Sequence, residues 1–258
     1  GQGEPLLAFN RRIIDATAGI AAAYKPQIAF YGAAGAERQL EASIAYIREH
    51  APDALVILDA KRNDIGNTAE AYAREAFERY GADAVTVNPY MGEDAVRPFL
   101  ARADRGAILL CRTSNPGARD FQDLAVVPAA GGPALPLYRH VAAAAERWNE
   151  RRNVMLVVGA TCSEEMRELR RAHPTIPFLV PGIGAQGGDL AATLEAGLDG
   201  GGAGLLINSS RGIIYAGSGS LEDIRAAAGA LHAAIEKQRA GIPKQAALGR
   251  AMGAARAG

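Results

Sequence analysis

The chain repeats one unit: a short apolar run, a polar or glycine-rich stretch, and then a segment with helical periodicity. Strict alternation of strand and helix patterns is typical of a parallel α/β fold. The apolar runs predict strands at residues 23–31, 55–61, 84–88, 107–112, 154–159, 178–180 and 204–208. Helices are predicted at residues 6–17, 37–48, 68–80, 92–101, 136–150, 163–171, 189–196 and 221–239.

Seven strands are one fewer than a closed barrel of eight βα units needs. An open sheet of seven strands would expose two edges, which proteins avoid. We therefore expect an α/β fold of the (β/α)8 TIM-barrel type, with the first strand missing before residue 6, and an open doubly wound sheet is the alternative. Residues 1–258 contain no interdomain linker, which predicts a single domain. The absence of an initiator Met suggests a trimmed N-terminus.

Composition excludes several classes of function. Lysines plus arginines number 28, as do acidic residues, so no bulk charge attracts nucleic acid or a membrane surface. No apolar run reaches the roughly 20 residues of a membrane span. Cys111 and Cys162 are too few for a disulfide framework, and the four histidines lack metal-ligand spacing. We expect a cytoplasmic protein with a small-molecule ligand.

Two carboxylates surround one lysine where the second predicted strand ends. The segment 59–68 contains Asp59, Lys61 and Asp64 in the pattern Asp-x-Lys-x-x-Asp. Residues two apart on a strand point to the same face, so Asp59 and Lys61 are expected to lie side by side. A lysine held between acids can donate a proton, although such a group can also be a structural ion pair.

Two late segments have the character of phosphate-binding loops. Residues 179–189 follow a strand, are rich in glycine and precede a helix, so their amides can converge on an anion. The next strand ends before Arg211, whose guanidinium suits bidentate contact with phosphate. Barrels of this type commonly bind phosphate after their last two strands. The long Pro- and Gly-rich segment 115–136 is predicted to be an active-site loop or lid.

Together these motifs resemble those of the orotidine 5′-phosphate decarboxylases, in particular the bacterial Lys-Arg subtype. The resemblance rests on residues 25–30, 59–68, 112–117, 181–189 and 207–212, in unbroken order. It implies a homodimer with sites at the subunit interface, conversion of orotidine monophosphate to uridine monophosphate and CO2, and no metal or organic cofactor.

The resemblance also assigns roles to individual residues. It implies that Lys61 protonates pyrimidine C6 within an array of Lys25, Asp59, Lys61 and Asp64. The array is completed across the dimer, with Asp64 and Thr68 serving the partner's site. The implied substrate-binding residues are Thr68, Ser114 for the pyrimidine, and Pro181, Gly184, Gln186 and Arg211 around the phosphate.

Three departures from the family pattern stand out. The family's first strand carries an acidic residue that contacts the ribose, and this sequence has no counterpart. Gly32 stands where this subtype usually has Glu, and Asn63 stands where Gly is common. Neither Gly32 nor Asn63 belongs to the four-residue array, so the assignment is unchanged.

Two other functions remain open. Metal-dependent keto-gulonate phosphate decarboxylases and hexulose phosphate synthases also carry Asp-x-Lys-x-x-Asp, but they have an acidic metal ligand on the preceding strand, where this chain has Lys25. A protein that binds nucleotide phosphate without turnover is the second alternative. Stimulation by magnesium would favour the first, and binding without reaction would favour the second.

Overall fold

The computed structural model describes residues 5–128, 130–183 and 188–241. The strands in this part of the chain are β1 (Ala23–Tyr24), β2 (Leu55–Arg62), β3 (Ala84–Val87), β4 (Gly106–Arg112), β5 (Ala125–Val126), β6 (Leu135–Pro136), β7 (Val154–Val158), β8 (Phe178–Pro181) and β9 (Leu205–Asn208). The α-helices are α1 (Leu6–Thr17), α2 (Ile28–Ala33), α3 (Glu37–His50), α4 (Gly66–Arg74), α5 (Glu93–Leu100), α6 (Leu137–Trp148), α7 (Ser163–Ala172), α8 (Leu190–Gly197), α9 (Arg211–Ile214) and α10 (Leu221–Gly241). A π-helix covers Glu75–Arg79 and a 3₁₀ helix covers Pro116–Asp120.

The chain divides into two compact units. The first contains residues 1–110, 144–155 and 210–230. In it β1, β2, β3 and β4 pair in parallel in that order. Helices α1 and α3 pack together, as do α4 and α5. The largest buried side chains of this unit include Leu40, Ile57, Leu58, Phe99 and Ile108. Apolar burial of this kind on both faces is what parallel strands require.

The second unit contains residues 111–143, 156–209 and 231–258. In it β7, β8 and β9 pair in parallel, with Leu156 beside Phe178 and Phe178 beside Leu205. Helices α7 and α8 pack together. Met166, Leu169 and Ile176 are fully buried with the strands. The division into compact units does not test the prediction of a single domain, which stays a prediction.

Most predicted elements are found, but the strand predicted at 23–31 is wrong. The strand ends at Tyr24, and a helix covers Ile28–Ala33. Pro26 lacks an amide hydrogen and so cannot continue a ladder. Its carbonyl still accepts from the Asp59 amide, and Gln27 forms an isolated parallel bridge with Asp59. The Gln27 side chain then accepts from the Ala29 amide and begins the helix.

The described part of the segment 115–136, predicted as an active-site loop or lid, contains short regular elements. It contains the 3₁₀ helix and an antiparallel pair in which Ala125 lies opposite Pro136. Gln122, in the middle of the segment, forms two hydrogen bonds with Thr113. The Gln122 side chain accepts from the Thr113 amide at 2.8 Å and donates to the Thr113 hydroxyl at 2.9 Å. Gln122 therefore holds this part of the loop against the end of β4.

Candidate active site

The predicted charge cluster forms around the Asp59 carboxylate. Lys25 Nζ donates to Asp59 Oδ2 at 2.5 Å, and Lys61 Nζ donates to Asp59 Oδ1 at 2.6 Å. The Asp59 side chain is 9% exposed, whereas that of Lys61 is 47% exposed. The carboxylate is therefore held inside the protein, and the Lys61 ammonium can still contact a ligand.

The pairing of Asp59 with Lys61 does not come from simple strand alternation. The ladder between β2 and β3 shifts register, since Leu58 pairs with Val85 and Arg62 pairs with Val87. Three residues of β2 therefore lie opposite a single residue of β3, Thr86. Lys61 also has a φ of 47°, in the left-handed region that non-glycine residues rarely adopt. The strand is bulged at the point where the lysine projects.

Thr86 lies under this bulge, and sequence reasoning missed it. Its hydroxyl accepts from the amides of Ala60 at 3.0 Å and Lys61 at 2.9 Å, and it donates to Asp59 Oδ1 at 2.9 Å. Thr86 is 1% exposed. The only signal in the sequence was a hydroxyl among the apolar residues of Ala84–Val87.

The two lysines decide the charge of Asp59. Burial raises the pKa of the carboxyl, but the charges and hydrogen bonds of Lys25 and Lys61 outweigh it and hold the pKa below its usual value. Asp59 is therefore ionised at neutral pH. The cluster presents one carboxylate and two ammonium groups, which can stabilise negative charge developing on a bound ligand.

The structure does not bring Asp64 into this ion pair. Asp64 Oδ1 accepts from the Ile65 amide at 2.8 Å, just after β2. Thr68 lies in the first turns of α4 and is exposed. Of the four predicted array residues, Lys25, Asp59 and Lys61 are in contact within one chain, and the described contacts leave the contribution of Asp64 across an interface untested.

The predicted substrate-binding residues lie at strand ends. Ser114 follows β4 and is half-buried, Pro181 ends β8, and Arg211 begins α9 with an exposed side chain. Gly184 and Gln186 lie outside the described residues. Gly159, just after β7, leaves room for Ser114, because a Cβ added to Gly159 would lie 2.8 Å from the Ser114 Cβ.

A buried arginine fixes the end of β4 beside Ser114, and the sequence motif 112–117 includes it without assigning it a role. Arg112 is 5% exposed. Its Nη2 lies 3.2 Å from Glu165 Oε1 and 3.3 Å from Asp123 Oδ1. Arg112 therefore joins β4 both to α7 and to the loop 115–136. In the sequence, the signal for this role was the position of Arg112 at the end of an apolar strand, directly before Thr-Ser-Asn.

The family of the chain follows from a match that covers most of its length. Residues 7–227 match the model of the orotidine 5′-phosphate decarboxylase / HUMPS family. The chain belongs to this family. It is 56% identical over 217 residues to the orotidine 5′-phosphate decarboxylase of Janthinobacterium sp. (strain Marseille), covering 84% of this chain and 78% of that protein. With the enzyme of the same name from Cellvibrio japonicus it shares 53% identity over 236 residues, covering 91% and 84% of the two chains.

Solved structures of orotidine 5′-phosphate decarboxylases have the same fold as this chain. The OMP decarboxylase of Leishmania donovani superposes with a TM-score of 0.81 at 43% sequence identity, covering 90% of this chain and 87% of that chain. This likeness confirms the predicted α/β fold class of the (β/α)8-barrel type. The prediction that the chain is an enzyme of this family is confirmed by the curated relatives.

Metal-binding clusters, cysteines and membrane spans were the remaining candidate features in the described ranges. No cluster of three or more His, Cys, Asp or Glu side chains there could hold a metal ion. Cys111 and Cys162 are both buried and unpaired, and burial raises the pKa of the Cys111 thiol to about 12. None of the helices in residues 5–128, 130–183 and 188–241 is long and apolar enough to cross a membrane.

Proposed function

We propose that this protein decarboxylates orotidine 5′-monophosphate to uridine 5′-monophosphate and CO2 in de novo pyrimidine biosynthesis. The observation that carries the proposal is the Asp59 carboxylate held between the ammonium groups of Lys25 and Lys61, at 2.5 and 2.6 Å. The names of the relatives, from Janthinobacterium to Leishmania donovani, support the same reaction.

Lys61 is the proposed proton donor. When the bond between C6 and the carboxylate breaks, its electron pair stays at C6 and CO2 leaves. The Lys61 ammonium stabilises that charge and transfers a proton to C6, and the neutral amine then regains a proton from water. Its half-exposed side chain supports this role, because a proton donor must contact both substrate and solvent.

Asp59 and Lys25 hold the donor in place. Asp59 keeps the Lys61 ammonium oriented, and its own negative charge is balanced by Lys25. A substrate carboxylate placed beside Asp59 is repelled before reaction and relieved of that repulsion when CO2 leaves. Binding energy from the remote phosphate offsets this cost.

Substrate binding is assigned to residues at the other strand ends. We propose that Ser114 contacts the pyrimidine, and that Pro181, Gly184, Gln186 and Arg211 bind the phosphate. The Arg211 side chain supports this, since it is exposed and has no ion-pair partner among the described residues. The loop 115–136, anchored by Arg112 and Gln122, is the proposed lid.

The active form is proposed to be a homodimer, in which Asp64 and Thr68 complete the partner's site. Asp64 makes no described contact with the lysines of its own chain, which leaves its carboxylate available to another subunit. Several large apolar side chains of the same unit are exposed and suit burial against a second copy. They are Phe30, Ile65, Tyr90 and Met91.

The proposed reaction needs no metal or organic cofactor, and we place the protein in the cytoplasm on the grounds of its two unpaired cysteines. The sugar-phosphate enzymes of the family are the alternative. At the position of their acidic metal ligand this chain has Lys25, which is paired with Asp59. A cation at that position opposes metal binding.

The test follows the ultraviolet absorbance of orotidine 5′-monophosphate with the purified protein in EDTA. The proposal predicts turnover that added magnesium does not increase. Turnover that requires magnesium would favour the sugar-phosphate alternative, and binding of uridine 5′-monophosphate without turnover would favour a non-catalytic binding protein. The assay is repeated with Arg211→Ala, for which a large rise in KM is expected if Arg211 binds the phosphate.

A further inference from the structure

We propose that Thr86 is a positioning residue of this active site, whose one hydroxyl fixes both the Asp59 carboxylate and the backbone that carries Lys61. This inference rests on the proposed function for its kinetic consequences. It goes beyond that function by assigning a role to a residue outside the charged array.

The hydroxyl of Thr86 uses its full hydrogen-bonding capacity within this cluster. A hydroxyl has one hydrogen to donate and two lone pairs to accept with. The amides of Ala60 and Lys61 occupy both acceptor positions, at 3.0 and 2.9 Å. The single hydrogen must then point to Asp59 Oδ1, 2.9 Å away. The direction of every bond is therefore determined, and Asp59 Oδ1 is the acceptor of the Thr86 hydrogen.

The bulge in β2 explains why a side chain is needed here. In a regular parallel ladder the β2 amides would donate to backbone carbonyls of β3. The register shift between Leu58 and Arg62 removes Ala60 and Lys61 from that ladder. The Thr86 hydroxyl takes the place of the missing carbonyl. It also holds Lys61 at its φ of 47°, a conformation that a non-glycine residue does not favour by itself.

The Thr86 hydroxyl therefore contacts both members of the Asp59–Lys61 pair, the carboxylate of Asp59 and the backbone amide of Lys61. Asp59 Oδ1 accepts from both Thr86 and the Lys61 ammonium. The Lys61 side chain is half-exposed, so packing alone does not fix its position. Its direction depends on the left-handed backbone at one end and on the Asp59 carboxylate at the other, and Thr86 contacts both.

The decisive variant is Thr86→Val, which keeps the shape of the side chain and removes the hydroxyl. We expect kcat for orotidine 5′-monophosphate to fall about 100-fold, because a small misplacement of a catalytic group has an effect of this size. We expect KM, and the Kd of uridine 5′-monophosphate, to change little. Thr86→Ser restores the hydroxyl and should recover most of kcat.

A matched control is Thr17→Val. Thr17 is also buried, and its hydroxyl donates to the Ile13 carbonyl and bonds with the Tyr24 hydroxyl, but it contacts none of the three charged residues. It should lower the melting temperature as Thr86→Val does and leave kcat unchanged. If Thr86→Val does not fold, Thr86→Ala is measured with the same readouts.

A second readout is independent of turnover. Removing a donor from a carboxylate raises its pKa, so NMR titration of Asp59 should show a higher pKa in Thr86→Val than in the parent. An unchanged titration, or wild-type kcat in Thr86→Val, would overturn the inference. If the parent protein does not decarboxylate the nucleotide, the proposed function fails, while the titration still decides the role of Thr86.

Discussion

Lys25 Nζ and Asp59 Oδ2 lie 2.5 Å apart, although 34 residues separate them in the chain. The contact joins the end of β1 to the buried part of β2, and it leaves the other carboxylate oxygen for Lys61 and Thr86. Because Asp59 is nearly inaccessible to solvent, its charge has to be balanced by these neighbours.

Lys25→Met should raise the pKa of Asp59 and lower activity. The positive charge of Lys25 lowers the pKa of Asp59, whereas burial raises it. Without Lys25 the effect of burial is less opposed, so Asp59 is protonated more easily. Because the folded parent has a depressed Asp59 pKa, the stabilisation from these pairs is complete above the usual pKa of a carboxyl and is lost as pH falls through the depressed pKa. In Lys25→Met this loss should occur at higher pH. The pH profile of kcat measures the shift.

The control for this prediction is Lys237→Met, which removes an exposed lysine from α10. It should leave kcat and its acid limb unchanged. An acid limb in Lys25→Met that coincides with that of the parent would show that Lys25 does not set the charge of Asp59.

Mixing two inactive variants should restore activity if the site is shared between subunits. In a dimer formed from Lys61→Ala and Asp64→Ala chains, one of the two sites would hold both native residues. Random exchange should therefore give about a quarter of wild-type activity. Each variant alone should have almost none. Mixtures no more active than the separate variants would show that Asp64 acts within its own chain, or not at all.

Gly159→Ala should impair nucleotide binding by displacing Ser114. The new Cβ would lie 2.8 Å from the Ser114 Cβ and 3.0 Å from the Ser114 amide nitrogen, so the chain after β4 must shift. We expect KM to rise about tenfold, corresponding to roughly 1.4 kcal/mol of lost binding. Gly229→Ala is the control, since a Cβ there meets nothing within 4 Å. Equal KM values for the two variants would contradict the role given to Ser114.

Arg170→Met should destabilise the second unit without changing the chemistry. The buried Arg170 guanidinium donates to the carbonyls of Gly197, Ile176 and Gly204 at 2.7, 2.8 and 3.0 Å. Its loss removes these buried and part-buried hydrogen bonds, and among the described residues only the Gly204 carbonyl has a second donor, the Phe178 amide. The free energy of unfolding should therefore fall by about 3 kcal/mol. Denaturant titration measures this. Arg171→Met, on the exposed side of the same helix, should have little effect.

Much of the architecture was predictable because the spacing of apolar residues along the sequence reflects which side chains are buried. Helix α1 covers Leu6–Thr17 as its pattern predicted, and β2 extends only one residue beyond its predicted end. The strand predicted at 23–31 failed because apolar residues alone do not distinguish a strand from a short helix, here Ile28–Ala33. The proline at position 26 was the signal against a continuous strand.

The site was predictable in its charges but not in its geometry. Lys25, Asp59 and Lys61 were identified from residue type and from the resemblance to a family. The bulge that shapes their contacts depends on how β2 and β3 pair, which no local pattern encodes. Thr86 was missed for the same reason, since its role requires knowing which amides lack a carbonyl partner.

The role of Lys61 as proton donor is tested by comparing the parent protein with Lys61→Ala in the decarboxylation of orotidine 5′-monophosphate, in the presence of EDTA. Lys237→Ala serves as the control for loss of a lysine. We expect rapid turnover by the parent and the control, and a loss of several orders of magnitude in kcat for Lys61→Ala, with the fold and the binding of uridine 5′-monophosphate retained. A Lys61→Ala protein that turns over at the parent rate would show that Lys61 is not the proton donor.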